Sequence, residues 1–314
     1  MNRIPLVVIL GPTGSGKTAL SVKLAKKFNG EIVSADSMQI YKQMQIATAK
    51  PTPEEMEEIP HHLVDFLDCS ESFSVADYVE KAKKEIFEIH SRGKLSFLVG
   101  GTGLYITSLV DNISFREIVS DPKLREDLQR RLETEGGGAL LSELREFDPE
   151  TADILHPNNG NRIIRAIEVY QLTGITMSEH QRISRKEPSP YRLCMLGLSA
   201  KNRQVLYDRI NHRVDYMMEN GLLQEAEEVL SHPEMKTALQ AIGYKELKGY
   251  FNGSCSLEEA VQTIKRETRR YAKRQLTWFR RDKRIHWLFL DELSGKELFD
   301  ESCRIINSDL LSKG

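Results

Sequence analysis

Eight consecutive residues, 11–18, have the clearest chemical meaning in this chain. They read GPTGSGKT and match the pattern G-x-x-x-x-G-K-[ST], between an apolar run at 4–10 and a helix-like run at 19–28. The glycines let backbone N–H groups turn into one concavity, and the next helix adds its free N–H groups and positive dipole end. We therefore predict a cradle for two linked phosphates, the phosphate loop. Its predicted binding residues are Gly11, Thr13, Gly14, Ser15, Gly16, Lys17 and Thr18.

Within this loop, Lys17 would supply a mobile positive charge and Thr18 a hydroxyl suited to Mg²⁺. Nucleotide hydrolases and kinases with such a loop usually hold Mg²⁺ with an Asp at the end of a second strand. Here the apolar run 95–99 ends in Gly-Gly-Thr-Gly, residues 100–103. Those glycines either let a ligand approach the backbone closely or form a tight turn.

A carboxylate does follow the apolar run 31–35, at Asp36. The carboxyl ends of parallel strands line the ligand crevice of an open α/β sheet. Asp36 is therefore a candidate Mg²⁺ ligand, a candidate general base, or a cap for the following turn. These three interpretations remain open on the residues alone.

Apolar runs separated by helical stretches predict the fold that positions these groups. Runs such as 193–198 and 285–290 are unbroken rather than alternating, which is typical of a parallel sheet covered on both faces. We predict an α/β fold with a P-loop NTPase-like parallel open sheet and an inserted helical domain. The predicted core comprises residues 1–112 and 187–314, and the predicted insertion comprises residues 113–186.

Composition describes a globular protein, with 40% hydrophobic and 29% charged residues among 314. No apolar run reaches the roughly 20 residues of a membrane span, and we expect a cytoplasmic protein without a signal peptide. The four cysteines lie far apart, so neither a zinc site nor a disulfide framework is expected. The adjacent histidines 61 and 62 would point apart on a strand and are expected to be structural.

The net charge of −2 conceals a strongly basic segment at residues 265–284, which contains interleaved aromatic residues. On a helix its charges would face outward, either as a solvated face or as a surface for RNA phosphates. Arg209 and Arg213 share one helix face by their spacing of four. Arg162 and Arg165 are likewise neighbours on a helix, where Glu168 offers a salt-bridge partner.

Six stretches together closely resemble the tRNA dimethylallyltransferases, also called tRNA isopentenyltransferases, of the shorter bacterial type. The likeness spans nearly the whole chain, and the ordered set is far more specific than any one stretch. The stretches are residues 11–18, 36–41, 60–65, 100–105, 161–169 and 240–246, reading GPTGSGKT, DSMQIY, PHHLVD, GGTGLY, NRIIRAIEV and QAIGYKE.

The resemblance implies transfer of a dimethylallyl group from dimethylallyl diphosphate to N6 of adenine 37, in tRNAs that read codons beginning with U. The phosphate loop would hold a departing diphosphate with Mg²⁺ on Thr18, and the anticodon stem-loop would deliver a flipped adenine. The implied catalytic residues are Asp36 as base, Lys17, Thr102 and Arg213, although the choice between Arg209 and Arg213 for the diphosphate stays open. The implied tRNA-binding residues are Asp36, Ser37, Met38, Gln39, Thr102, Arg125, Asn161, Arg162, Arg165, Gln240, Gly243, Tyr244, Lys245, Arg270, Lys273 and Arg274.

Two other functions are compatible with part of this pattern. The phosphate loop alone would suit a small-molecule kinase, but the run before residue 100 lacks the usual strand-end Asp. The basic segment alone would suit an RNA-binding module whose loop is only structural. We expect a monomer whose partners are tRNA and an allylic diphosphate.

Overall fold

A computed structural model describes residues 3–115, 121–232, 234–235 and 237–311. The chain divides into two compact units, Met1–Val110 with Pro190–Gly314, and Asp111–Ser189. The predicted insertion, residues 113–186, falls inside the second unit. No helix in the described part of the chain has the length and apolar character that a membrane span needs.

Six strands of the first unit form one parallel sheet among the described residues, in the order β3-β2-β4-β1-β5-β6. The inner strands are buried on both faces, as their unbroken apolar sequences predict. The predicted α/β class is confirmed. The strands are β1 (Ile4–Leu10), β2 (Gly30–Ala35), β3 (His61–His62), β4 (Leu95–Gly100), β5 (Tyr191–Ser199) and β6 (Ile285–Phe289).

Helices connect these strands, and several begin at capping boxes, in which a serine and the acidic residue three positions later satisfy each other's backbone N–H groups. Ser74 with Asp77 and Ser256 with Glu259 are two examples. The helices are α1 (Lys17–Lys27), α2 (Pro53–Met56), α3 (Val75–Ser91), α4 (Gly103–Val110), α5 (Pro122–Phe147), α6 (Pro149–Ile154), α7 (Gly160–Thr173), α8 (Met177–Ser184), α9 (Arg203–Glu219), α10 (Leu222–Leu230), α11 (Tyr244–Phe251), α12 (Leu257–Phe279) and α13 (Gly295–Ile306).

Both faces of the sheet are covered, and each cover has its own hydrophobic core. Helices α3 and α4 pack on one face around Tyr78 and Leu109, whereas α1 and α13 pack on the other around Leu24 and Ile306. A third core lies under the segment after β2 and joins Ile40 and its neighbours to α9, α10, α11 and α12. This third core holds the loops that follow the strand ends.

Strand β3 has only two residues and was not predicted, because the histidines there form no apolar run. His62 lies between two carboxylates, Nε2 2.7 Å from Glu31 Oε2 and Nδ1 2.8 Å from Glu85 Oε2. His61 turns away toward the carbonyl oxygen of Ile59. The expected structural role of this pair fits these contacts, which lie at the amino end of β2.

Glu31 is the centre of that charged cluster, with only 3% of its surface exposed. Burial disfavours its charged form, but hydrogen bonds from Lys94, His62 and Arg92 outweigh that penalty and lower the pKa of Glu31 to about 2. The cluster braces the start of β2 against the end of α3.

The second unit is helical, as the sequence predicts, and consists of α5 to α8 around a core that includes Leu128, Leu144 and Ile167. Helix α5 is interrupted at Gly136, whose φ of 80° and ψ of 161° are not helical. Gly136 therefore separates two helical stretches, although the chain resumes its helix at once.

Candidate functional site

The phosphate loop connects β1 to α1, and Gly14 and Gly16 adopt the left-handed backbone conformations that glycine tolerates best, with φ of 78° and 80°. Lys17 Nζ donates to the carbonyl oxygen of Pro12 at 2.9 Å, so its side chain folds back over the loop. The hydroxyl of Ser15 is buried without a hydrogen-bond partner among the described residues. Thr13, Lys17 and Thr18 are the residues of the loop that face the neighbouring cavity.

A cavity of about 420 Å³ opens beside the loop, within the first unit. Polar and charged side chains line one part of it, and α9, α10 and α12 contribute an apolar wall. The polar lining includes Thr13, Lys17, Thr18, Asp36, Arg213 and Gln275, and the apolar wall includes Val214, Met217, Leu222, Ile242 and Ile264. The cavity can therefore hold a molecule with one anionic end and one apolar end.

Lys17, Arg213 and Asp36 influence one another electrostatically in this cavity. Burial, and then the positive charge of Arg213, lower the pKa of Lys17 to about 8, while Asp36 acts in the opposite direction. Burial also lowers the pKa of Arg213, against the attraction of Asp36 and Glu55. Two partly desolvated cations side by side are a favourable environment for a polyanion.

The structure separates the two arginines that the sequence left as alternatives. Arg213 lines the cavity. Arg209 is exposed and donates from Nε to the carbonyl oxygen of Gly14 at 2.8 Å, from the outside of the phosphate loop. Of the two, Arg213 is therefore the one that faces the cavity, and Arg209 braces the loop.

Asp36 forms the cap that was one of the three interpretations left open by the sequence. Its Oδ1 accepts from the backbone N–H groups of Met38 and Gln39, at 2.9 and 3.3 Å, and so caps the turn. In the described part of the chain no hydrogen bond engages Oδ2, and the side chain lines the cavity. The capping bonds fix the carboxylate and leave one oxygen for an incoming group.

Thr102 is not among the residues that line the cavity. Its hydroxyl accepts from the backbone N–H of Ser37 at 3.1 Å and donates to the Ser37 hydroxyl at 3.4 Å. The Gln39 side chain is also occupied, because its amide nitrogen donates to the carbonyl oxygens of Thr48 and Ala49. Ser37, Met38 and Gln39, which were predicted to bind tRNA, line the cavity, whereas the side chains of Thr102 and Gln39 chiefly hold the surrounding loops in place.

The glycines at residues 100–103 were predicted to admit a ligand or to form a tight turn. Gly100 and Gly101 line the cavity. They also admit the protein's own atoms: a Cβ on Gly100 would lie 2.1 Å from the Ala35 carbonyl oxygen, and one on Gly101 would lie 2.2 Å from Gln275 Nε2. A Cβ on Gly103 would lie 2.4 Å from Trp278. These glycines therefore let β4 and the following turn pack against β2 and α12.

The segment 45–47, next to the cavity, is held by a residue that the sequence did not suggest, Glu225 of α10. Its Oε2 accepts from the N–H groups of Gln45 and Ile46 at 2.9 and 2.7 Å. Its Oε1 accepts from the N–H of Ala47 at 2.9 Å and from the Tyr244 hydroxyl at 2.7 Å. Ala47 lines the cavity, so Glu225 shapes its wall.

The prediction that Tyr244 binds tRNA needs correction. Tyr244 is 0% exposed in the third core, and its hydroxyl donates a hydrogen bond to Glu225. It therefore presents no surface to a partner. The other residues of this stretch that were predicted to bind tRNA are Gln240, Gly243 and Lys245, and all three line the cavity.

The predicted basic segment, 265–284, covers helix α12 from residue 265 onward and the five residues that follow it, and its faces differ. Lys265 pairs with Asp215 at 2.5 Å and Arg269 donates to Asn211 at 2.6 Å, so these two charges attach α12 to α9. Other basic residues form an exposed basic face. The basic face comprises Arg266, Arg270, Lys273, Arg274, Arg280 and Arg281.

Arg274 of this face also lines the cavity, whereas Arg270 and Lys273 lie outside it. The inward side of the same helix carries Ile264, Thr268 and Gln275. Gln275 was another omission of the sequence analysis, although its spacing from Ile264 and Thr268 places it on the buried face.

The remaining predicted residues belong to the second unit. Arg125 is exposed on α5, and Asn161 and Arg162 are exposed near the start of α7. Arg165 is half-buried and donates from Nη1 to Glu168 Oε2 at 2.7 Å, so the alternative salt bridge is present. Its pairing leaves the other guanidinium nitrogens unengaged by any ion pair within the described residues.

The residues present fit a magnesium ion of the kind that binds together with phosphates. Among the described residues no three His, Cys, Asp or Glu side chains gather around a possible metal position. Mg²⁺ needs no such cluster, because it is commonly held by one or two protein oxygens and by substrate phosphates. The Thr18 hydroxyl and the Asp36 carboxylate line the same cavity and supply oxygen donors.

Sequence comparison relates residues 39–282 to a family described as IPP transferase. A tRNA dimethylallyltransferase of Caldanaerobacter subterraneus subsp. tengcongensis is 50% identical over 303 residues, which are 95% of this chain and 96% of the relative. One from Bacillus subtilis is 48% identical over 301 residues, 94% and 95% of the two chains.

Comparison with solved structures relates the chain to the same kind of transferase. A full-length tRNA isopentenylpyrophosphate transferase from Bacillus halodurans superposes with a TM-score of 0.75 at 46% identity, over 98% of this chain and 97% of that one. A eukaryotic dimethylallyltransferase, captured in snapshots while acting on tRNA, has a TM-score of 0.83 at 31% identity, over 99% of this chain and 80% of its own.

Proposed function

This chain belongs to the IPP transferase family, and we propose that it is a tRNA dimethylallyltransferase. In the proposed reaction the bond between C1 of dimethylallyl diphosphate and its bridging oxygen breaks. A bond forms between C1 and N6 of adenine 37 in tRNAs reading UNN codons, N6 loses one proton, and diphosphate leaves. The observation that carries the proposal is one cavity joining the phosphate loop, a free carboxylate oxygen and an apolar wall.

The donor would lie with its diphosphate on the phosphate loop and its allyl group toward the apolar wall. Negative charge accumulates on the diphosphate as the C1–O bond breaks, and fixed positive groups stabilise a charge that develops in the transition state. Lys17, Arg213 and the loop N–H groups would do this. The apolar wall also limits water near C1, which protects the donor from hydrolysis.

Asp36 would act as the general base. The exocyclic amine of adenine is a weak nucleophile because its lone pair is delocalised into the ring, so removal of a proton as the N–C bond forms lowers the barrier. The two capping bonds to Asp36 Oδ1 hold the carboxylate in one orientation. Oδ2 would receive the proton.

Magnesium would be held by the Thr18 hydroxyl together with diphosphate oxygens, and Asp36 is a second candidate ligand. When bound, the ion would neutralise part of the charge on the diphosphate.

Transfer RNA would bind through the basic face of α12 and through Arg125, Asn161, Arg162 and Arg165 of the second unit. The relatives are named for action on tRNA, and the eukaryotic structure is described as acting on tRNA. Adenine 37 would leave the anticodon-loop stack to enter the cavity, as bases do when enzymes modify their edges.

The proposal is tested by incubating the protein with unmodified tRNA and labelled dimethylallyl diphosphate, followed by mass analysis of adenine 37. We expect label at that base. Asp36→Asn should lower turnover by about 10²- to 10⁴-fold, the usual contribution of a general base, with tRNA affinity retained. Asp208→Asn, a matched change at an exposed position of α9, should leave turnover unchanged. Absence of label with the unaltered protein contradicts the function, and near-normal turnover of Asp36→Asn contradicts the base.

A metabolite kinase is the alternative that the phosphate loop alone would allow. The same assay with ATP and no prenyl donor distinguishes the two, because a kinase would consume ATP and transfer its γ-phosphate, whereas the proposed enzyme requires the allylic diphosphate.

A further inference from the structure

Gln275 connects two parts of the site that are far apart in the sequence. It lies on α12, only 6% exposed, and its side chain crosses from the helix to the phosphate loop. Its Oε1 accepts from the backbone N–H of Thr13 at 3.0 Å, and its Nε2 donates to the carbonyl oxygen of Gly101 at 2.9 Å. One amide thus ties the phosphate loop and the turn after β4 to a single helix.

The fit around this amide is close. A Cβ on Gly101 would lie 2.2 Å from Gln275 Nε2, so the absence of a side chain at Gly101 is what makes room for it. Both amide groups of Gln275 and both backbone groups are engaged, and a buried polar group left unpaired costs about 1–3 kcal/mol. A shift of α12 along its axis would therefore be transmitted to Thr13.

The same helix carries the basic face, and Lys273 and Arg274 of that face directly precede Gln275 in the sequence. RNA phosphates bound to this face would fix the position of α12. The helix is also attached to α9 through Lys265 and Arg269, and α9 carries Arg213. Binding of RNA and binding of a diphosphate would thus both act on the connected helices α9 and α12.

We propose that Gln275 is a positioning residue that couples tRNA binding on the basic face of α12 to diphosphate binding on the phosphate loop. This rests on the proposed function, since it assumes that those two ligands occupy those two places. Gln275 would not touch either reacting atom. It would set the position of the Thr13 backbone according to whether α12 is engaged by RNA.

The experiment measures a thermodynamic cycle. The affinity of the protein for inorganic diphosphate is determined with and without saturating unmodified tRNA, and the ratio is the coupling factor. Couplings between two sites are typically about 5- to 150-fold, and the tRNA affinity must change by the same factor when diphosphate is present. That reciprocity checks the measurement internally.

Gln275→Met keeps the length of the side chain and removes its amide. We expect the coupling factor to change by about fivefold or more relative to the unaltered protein. Gln262→Met, the same change at an exposed position of α12, should leave the factor within about twofold. Repulsion between the two anions acts in all variants and sets the common baseline.

Gly101→Ala is the second variant, because it displaces the Gln275 amide from the opposite side without altering α12. It should change the coupling factor in the same direction as Gln275→Met. Equal coupling factors in the unaltered protein and in either of these two variants would overturn the proposal, as would a factor of one in the unaltered protein. Dimethylallyl transfer by the unaltered protein is scored separately, so loss of coupling and loss of the proposed function are distinguished.

Discussion

Glu225 should contribute more to this protein than a typical surface glutamate, because a single carboxylate accepts four hydrogen bonds. Two end on each oxygen: Gln45 and Ile46 on Oε2, and Ala47 and Tyr244 on Oε1. In Glu225→Gln, one oxygen becomes an NH₂ group that faces two donors. If the NH₂ takes the place of Oε1, the Tyr244 hydroxyl can turn and accept from it, so the bond from the Ala47 N–H is lost and the remaining bonds are made to a neutral group.

Hydrogen bonds to a charged group contribute about 1.5–3 kcal/mol each, and those at the exposed Gln45 contribute less. We therefore expect Glu225→Gln to lower the free energy of unfolding by about 2–4 kcal/mol, measured by urea denaturation. Tyr244→Phe removes one bond and should cost about 1–2 kcal/mol. Glu227→Gln, at an exposed position of the same helix, should stay within about 0.5 kcal/mol of the unaltered protein.

The kinetic consequence follows from Ala47, which lines the cavity. If segment 45–47 loses these bonds, the part of the cavity wall formed by Ala47 shifts. Small displacements in an active site reduce turnover steeply. We expect kcat/KM for tRNA to fall in Tyr244→Phe and to fall further in Glu225→Gln, while the affinity of both variants for inorganic diphosphate changes little. Equal stabilities of Glu225→Gln and Glu227→Gln would refute the reasoning.

Two further predictions concern charges away from the cavity. Glu31→Gln should lower the free energy of unfolding by about 3 kcal/mol at pH 7, because a carboxylate whose pKa is depressed in the folded protein stabilises the folded state at pH values above its ordinary pKa of 4.5. In denaturation measured at several pH values, the difference from the unaltered protein should shrink as the pH falls from 4.5 through about 2. A difference that does not depend on pH would contradict this prediction. Arg270→Gln combined with Lys273→Gln should reduce the salt dependence of tRNA binding by about two phosphate contacts, in a plot of log affinity against log salt, whereas Arg304→Gln on α13 should not.

The sequence predicted the parts of the site that depend on local structure. The phosphate loop, Asp36 and the carboxyl end of β4 follow from short motifs and from apolar runs, because strand–loop–helix geometry is local. The roles of Glu225 and Gln275 depend on contacts with residues about 180 and 262 positions away, and no local pattern encodes such a distance. Tyr244 was misassigned for the same reason, since its motif does not show that its hydroxyl turns inward.

The side chains missed by the sequence share a physical role. The polar part of the cavity wall is formed largely by loops after strand ends. Loops lack the regular backbone hydrogen bonds of helices and sheets, so their N–H and C=O groups need other partners. Here side chains satisfy them instead: Gln39 for Thr48 and Ala49, Glu225 for residues 45–47, and Gln275 for both the phosphate loop and the turn after β4. Each brace reaches from a different element, so the position of the reactive groups depends on side chains that hold the surrounding loops and take no part in the chemical step. Substitutions at such braces should therefore alter affinity and coupling before they alter the chemical step.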